Sequence, residues 1–249
     1  MALQKSGNKG SESNWVSFSD LMTGLMVIFM FIALSYIMEV QKRQSEINQI
    51  IEEYRETQAK IYNELDRTFT DRFKDYNLKV NPDLSIQITD ANALFPVQFY
   101  DQEVFLTRRF EDFLDEFTPL FYSIVLKDEY ADDISEIRIE GHTAIQTVDM
   151  ESDKDYYQKM LILSQKRSNK VLEYMMNLNS YENLSIQKKS FLRFITTSNG
   201  LAFGKALDRK GKFKYLSGEK INTVKSMRVE FRIVTNSQKV IDEWVKQLK

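Results

Sequence analysis

Asp20 stands at the start of an apolar run where a carboxylate is costly. The 18 residues that follow it, 21–38, carry no charge, no proline and one glycine, and Glu39 closes the run. On membrane-insertion scales an aspartate at mid-membrane costs about 2.5–3.5 kcal/mol, and less near the interface. A carboxylate in such a place is by default a functional hypothesis rather than a packing choice. Two plainer roles compete. Asp20 could snorkel to the interface, or it could cap a helix whose first turn contains Thr23 and Gly24.

Little other chemistry is on offer. Cysteine is absent, which excludes thiol nucleophiles and a disulfide framework, and His142 is the single histidine. A zinc site built from these side chains is not expected, and neither is any other cofactor. No nucleophile constellation or phosphate loop stands out, so an enzyme is the least supported class. A net charge of −2 gives no bulk attraction for nucleic acid.

The elements that must position Asp20 begin with the run itself. As a helix, 18 residues span roughly 27 Å, close to a hydrocarbon core. The chain contains no second segment of this kind, so a single transmembrane helix over 15–40 is expected, behind a polar tail of residues 1–14. A cleaved signal peptide is the rival reading, with Lys5 and Lys9 before the run and Ala33-Leu34-Ser35 as the cleavage site. Against it, the run continues through Tyr36, Ile37 and Met38, and Asp20 interrupts its start. Lys5 and Lys9 before the span match Lys42 and Arg43 after it, so charge does not set the orientation.

Residues 41–76 are expected to form a helical linker free of proline and glycine. Ile47, Ile51, Tyr54, Gln58, Ile61, Leu65 and Thr68 follow one another at alternating spacings of four and three, a heptad seam with one polar member. Such a seam, following directly on the span, is expected to pair two chains as a parallel homodimer, with Gln58 fixing register. The same pattern also fits an amphipathic helix packed on its own domain.

The globular part is expected over 77–249. Asn81-Pro82-Asp83 reads as a turn, followed by a strand through Leu84, Ile86 and Ile88. A helix is expected from Glu103 to about Leu126 with Phe105, Phe110, Phe113, Leu114 and Phe117 inward and a bend at Pro119. Ile137 and Ile139 mark a strand ending in Glu140-Gly141-His142-Thr143, and a helix follows from Asp155 to Leu178. Residues 191–197 and 227–234 read as two further strands, with a last helix closing at Trp244. The order βαβαββ makes an α+β domain of roughly 160 residues, enough to hold its own core.

Two stretches then resemble known modules. "IRIEGHT", "LSQKRSNKV" on the following helix and "MRVEFRI" on the last strand, with Leu94-Phe95 after the first, resemble the OmpA-like peptidoglycan-binding domain. "WVSFSDLMTGLMVIF" at the N-terminus resembles the MotB-like B subunits of ion-driven stators, and among them those that serve anti-phage defence. The resemblance implies an inner-membrane protein with a cytoplasmic N-terminus and a periplasmic domain. It also implies a homodimer surrounded by a ring of MotA-like A subunits, embedded in lipid. Asp20 would be the ion-carrying residue whose charging and neutralisation drive rotation, and Gly24 and Ser35 leave room for close helix approach.

The OmpA-like resemblance further implies that Arg167, Leu163, Thr143 and Arg228 contribute to peptidoglycan binding, Arg167 as a forked donor to a stem-peptide carboxylate. Here the sequence departs from the family pattern. Ala144 stands where an aspartate is usual, Met160 where asparagine is usual, and the loop between Thr143 and Leu163 is about eight residues longer. Asp149, Glu151, Asp153 and Asp155 are candidates for the missing charge; His142 is better read as a loop-holding hydrogen-bond group. A passive peptidoglycan anchor and a flagellar stator subunit are the competing functions.

Overall fold

The computed structural model describes residues 9–89, 94–96, 101–144 and 153–236. Within the described residues the chain divides into two compact units, residues 9–53 and residues 54–236. The expected helix at Trp244 lies outside the described residues, as do Asp149 and Glu151.

One helix, α1 (Lys9–Phe69), runs for 61 residues. Its apolar stretch passes straight into a charged one, where i,i+4 pairs support it: Arg43 with Glu39 at 2.6 Å, Gln49 with Glu53 at 3.1 Å. Every large apolar side chain of residues 21–40 is exposed, a surface that water alone would not tolerate at this size. The segment is long and apolar enough to cross a membrane. The helix already begins at Lys9, so the polar tail expected over 1–14 is helical in its second part.

The second unit is an α+β domain. Asn77, with φ at 51°, ends the short turn after α1 and starts β1 (Leu78–Val80), which pairs antiparallel with β2 (Ser85–Ile88). The tight loop between them is held by Asp83, which accepts from the Ser85 hydroxyl at 2.7 Å. Next come α2 (Arg108–Val125), β3 (Ile134–Gly141), α3 (Lys154–Asn177), α4 (Ile186–Ile195), β4 (Thr196–Gly200) and β5 (Val229–Thr235). The sheet order is β1-β2-β5-β3-β4, antiparallel except for the β3–β4 pair. That parallel pair is joined through α3 and α4, since a parallel connection needs a crossover long enough to hold a helix.

The core is aromatic. Phe113, Phe117 and Phe121 recur every fourth residue along α2, and their rings stack at 5.0 and 5.3 Å. Phe117 meets Phe69 of α1 and Phe231 of β5, each at 4.8 Å. Pro119 is accommodated inside α2 without ending it, and the helix starts at the Thr107 cap rather than at Glu103. Residues 191–195, expected as strand, are the end of α4. Ser185 caps that helix, and Leu192 and Ile195 turn inward at helical spacing. β4 is shifted into a run of Thr, Ser, Asn and Gly that carries no apolar alternation of its own.

The heptad seam divides at Tyr54. Ile61 and Leu65 are completely buried in the core of the α+β domain. Gln58 donates to Tyr54 Oη at 2.9 Å and to Thr235 Oγ1 at 3.1 Å, at the end of β5. From Gln58 onward the pattern is therefore that of an amphipathic helix on its own domain, because the sheet needs a cover more than the helix needs a twin. Ile47 and Ile51 belong to the other unit and are half-buried.

Candidate functional sites

Asp20 lies about three turns inside α1 rather than at its start. Its backbone N–H is thus in the interior of the helix, and the capping role expected as an alternative does not apply. The side chain is exposed. At 100° per residue, Asp20, Thr23, Gly24 and Ser35 fall on one side of the helix. Thr23 and Ser35 turn their hydroxyls back onto the carbonyls of Ser19 and Phe31, at 2.8 and 2.9 Å, so neither leaves an unsatisfied donor in an apolar setting. A Cβ on Gly24 would meet nothing within 4 Å, so this face is open to another helix.

The other candidate site lies where β3, β4 and α3 converge. Gly141 is required there by packing: a Cβ would sit 2.3 Å from the Ser164 carbonyl oxygen, and one on Gly200 would sit 2.4 Å from the Gln165 nitrogen. The helix backbone thus rests directly on the two strands. Ser164 and Gln165 lock it in place, for the Ser164 hydroxyl accepts from Ala202 N at 3.0 Å and Gln165 Oε1 accepts from Gly200 N at 2.7 Å. Much of "LSQ" is therefore fastening, and Leu163 is buried core. Thr143 is also buried, and its N–H donates to Ala202 O at 2.8 Å.

Arg167 is different. It lies half-buried with its guanidinium 5.0 Å from the centre of the Phe95 ring. Its Nε is buried without an acceptor, and among the described residues no carboxylate forms an ion pair with it. Burial pushes its pKa down to about 10, which leaves it cationic at neutral pH. A largely desolvated guanidinium set over an aromatic ring is suited to a carboxylate from outside. Of the candidates for the missing acidic partner, Asp153 is already the cap of α3, accepting from Asp155 N at 2.9 Å and Tyr156 N at 3.1 Å. Asp155 is exposed in the first turn.

Arg228 points the other way. It is 1% exposed, and its Nε donates to Glu230 Oε2 at 3.1 Å. It belongs to a buried ionic cluster across the adjacent central strands β5 and β3 that sequence reasoning did not assemble. Glu140 and Glu230 are register partners, and Arg232 bridges them, 3.6 Å from Glu140 and hydrogen-bonded to Glu230. His142 Nε2 lies 3.6 and 3.7 Å from the two carboxylates. Burial and the nearby Arg228 charge hold the His142 pKa below its ordinary value, so the ring is neutral near pH 7. Burial alone would raise Glu140, but His142, Lys205 and Arg232 outweigh it and keep the carboxyl below the usual range. Glu140, His142 and Glu230 bring ligand atoms within 4.8 Å of one another. Arg228, Arg232 and Lys205 already supply the positive charge that a cation would bring. The cue was present in the period-two charges of "RVEFR" and "RIEGH", which put Arg228, Glu230 and Arg232 on one face with Arg138, Glu140 and His142.

An apolar helix of membrane-crossing length joined to a mixed-sheet α+β domain defines a membrane-anchored protein with a folded head. No family model matches the sequence. The Zorya protein ZorB of Escherichia coli is 30% identical over 235 residues, covering 94% of this chain and 93% of that protein. The chain belongs to the ZorB family. Among solved structures, the cell wall anchor of the type VI secretion system from Pseudomonas aeruginosa is similar at 14% identity, covering 69% of this chain and 97% of that one, with a TM-score of 0.42. The periplasmic domain of Helicobacter pylori MotB is similar at 12% identity, covering 66% and 92%, with a TM-score of 0.40.

Proposed function

We propose that this chain is the B subunit of an ion-driven rotary complex of the inner membrane, acting in Zorya antiviral defence. In this reading α1 crosses the membrane once with its N-terminus in the cytoplasm, and the α+β domain anchors to peptidoglycan in the periplasm. Two copies pair inside a ring of MotA-like, ZorA-type subunits. The observation that carries it is the place of Asp20: an ionisable residue inside the helix, away from its cap, on the same side as Gly24 and Ser35. Charged, the carboxylate prefers polar partners on a surrounding subunit; neutralised by a proton or sodium ion, it prefers apolar ones. Alternation between the two states moves one surface past another. The peptidoglycan role rests on Arg167, whose cation is desolvated and without a carboxylate among the described residues.

Similarity to ZorB over nearly the whole chain favours defence over a flagellar stator. A passive anchor would need the domain but not the carboxylate. The test is Asp20→Asn, an almost isosteric change that cannot cycle its charge. Cells carrying it are expected to lose protection against phage while the protein remains in the membrane at wild-type levels. Full protection by the membrane-inserted variant would sink the motor reading and leave the anchor.

A further inference from the structure

The segment between β4 and β5 has a composition unlike the rest of the domain. Residues 205–225 hold seven basic residues against two acidic ones, in a chain whose net charge is −2. One of the two acids is spent on the loop itself. Asp208 is buried, and its Oδ1 accepts from Lys210 N at 2.8 Å and Lys212 N at 2.9 Å. Arg209, Lys210, Lys212 and Lys220 are exposed. Between these charges stand apolar side chains turned to solvent: Tyr215 is 89% exposed, Leu216 77% and Val224 62%.

This is a built surface rather than a loose loop. Residue bridges Leu207–Phe213 and Asp208–Ile221 tie its two limbs together. The buried Ser226 hydroxyl accepts from Leu207 N at 2.8 Å, and Gly211 and Gly218 make the turns at φ of 79° and 67°. Lys225 Nζ donates to the Arg209 carbonyl at 2.8 Å, closing the base. The hydrogen bonds fix the backbone, and the backbone holds Tyr215 and Leu216 outward, where water disfavours them.

We propose that residues 205–225 dock on an anionic lipid surface. A bilayer rich in acidic headgroups satisfies both halves of the pattern: phosphates for Lys210, Lys212 and Lys220, and the acyl boundary for Leu216 and Val224, with Tyr215 at the interface between them. An anionic glycan would satisfy the lysines and could stack on Tyr215, but it offers nothing to two aliphatic side chains. A bilayer also belongs to the chain's own chemistry, because α1 carries a segment long and apolar enough to cross one. The inference does not depend on whether Asp20 carries an ion or Arg167 holds peptidoglycan.

The chain's lack of cysteine makes the test direct. The full-length protein with Leu216→Cys, labelled with a polarity-sensitive fluorophore, is reconstituted into phosphatidylethanolamine–phosphatidylglycerol vesicles containing quencher lipids, or into phosphatidylcholine alone. Because that change removes part of the contact, Val224→Cys reports in parallel, and Lys79→Cys on β1 is the control. Quenching at 216 and 224 well above the control is expected in anionic vesicles. It should fall to control level in phosphatidylcholine, in high salt, and in the triple variant Lys210→Glu, Lys212→Glu, Lys220→Glu. The salt titration on the unmodified lysines keeps the test valid if the triple variant misfolds. Quenching no greater than at Lys79 in anionic vesicles would overturn the proposal. So would a spectral shift that arises only when peptidoglycan is added, which would make the segment the rim of a glycan site.

Discussion

Gln58 and Thr235 are hydrogen-bonded at 3.1 Å although they lie 177 positions apart. Thr235 in turn donates to Tyr54 Oη at 2.9 Å, so the end of the last strand is clasped by the helix that leaves the membrane segment. The polar member of the heptad seam is thereby used within one chain, and Ile61 and Leu65 below it are core.

Leu65→Ala should therefore act on folding of the domain rather than on pairing of chains. Removing a fully buried leucine side chain typically costs about 2–5 kcal/mol, and the loss should appear as a lower melting temperature at every protein concentration. Any pairing of chains through the seam is left to the part before Tyr54, since Gln58, Ile61 and Leu65 are used within the domain. Ile47→Cys in this cysteine-free chain should cross-link readily, and Glu53→Cys should not. Cross-linking at Glu53 alone would mean that the register is wrong.

Gly141→Ala tests the contact between β3 and α3. Its Cβ would lie 2.3 Å from a backbone oxygen, so a whole helix must shift to admit one methyl group. Overpacking of this kind costs typically about 1–3 kcal/mol. The variant should melt earlier than wild type and also lose peptidoglycan affinity, because the helix that shifts carries Arg167. An unchanged melting temperature would show that α3 does not rest on Gly141.

The long apolar helix, the α+β class and the inward Phe110, Phe113 and Phe117 of α2 were legible because each rests on local periodicity, whereas Phe105, expected inward, lies ahead of the helix and is exposed. Phe113, Phe117 and Phe121 announce their own helix. α4 was misread because Phe191, Leu192, Phe194 and Ile195 in a short run satisfy either period, and the Ser185 cap lies outside that window. Ile61 and Leu65 were expected in a seam between two chains and are core of their own domain instead, since a heptad looks the same whether a sheet or a second helix covers it. Arg167 was legible as a donor, but its Phe95 platform comes from a loop over 70 positions away. The burial of Arg228 beside Glu230 was not legible, because strand alternation says which residues share a face, not what covers that face.

His142 should make the domain acid-sensitive in a definite window. Its ring is buried and neutral, faced by Glu140 and Glu230 and by the Arg228 charge, with Lys205 and Arg232 on the same carboxylates. The folded pKa is depressed, so below the unfolded value of about 6.5 the unfolded chain binds a proton that the folded chain refuses. Stability should then fall as pH drops from about 6.5, by at most about 1.4 kcal/mol per pH unit, until the folded pKa is reached. Glu140 is depressed too, but its contribution is lost only at lower pH, in the carboxylate range. His142→Leu should flatten chemical-denaturation stability between pH 6.5 and about 5, leaving the lower limb in place. An unaltered slope in that interval would show that another group sets it.

Arg167 decides whether the head grips the cell wall through this site. At neutral pH the guanidinium is charged, set over Phe95 and with its Nε lacking an acceptor, so a ligand carboxylate would gain a charge-assisted fork. Such bonds contribute about 1.5–3 kcal/mol, which is roughly ten- to a hundredfold in affinity. Detergent-solubilised full-length protein is expected to sediment with purified peptidoglycan, Arg167→Ala much less, and Arg167→Lys in between, since a lysine keeps the charge but not the fork. Arg228→Ala serves as the contrast. It removes a buried partner of Glu230, so it should lower the melting temperature first and weaken sedimentation only as folded protein is lost. Equal sedimentation by wild type and Arg167→Ala would shift the binding role away from this arginine. Failure of the folded wild type to sediment at all would leave the domain as a docking or pairing head, with Asp20 untouched by the result.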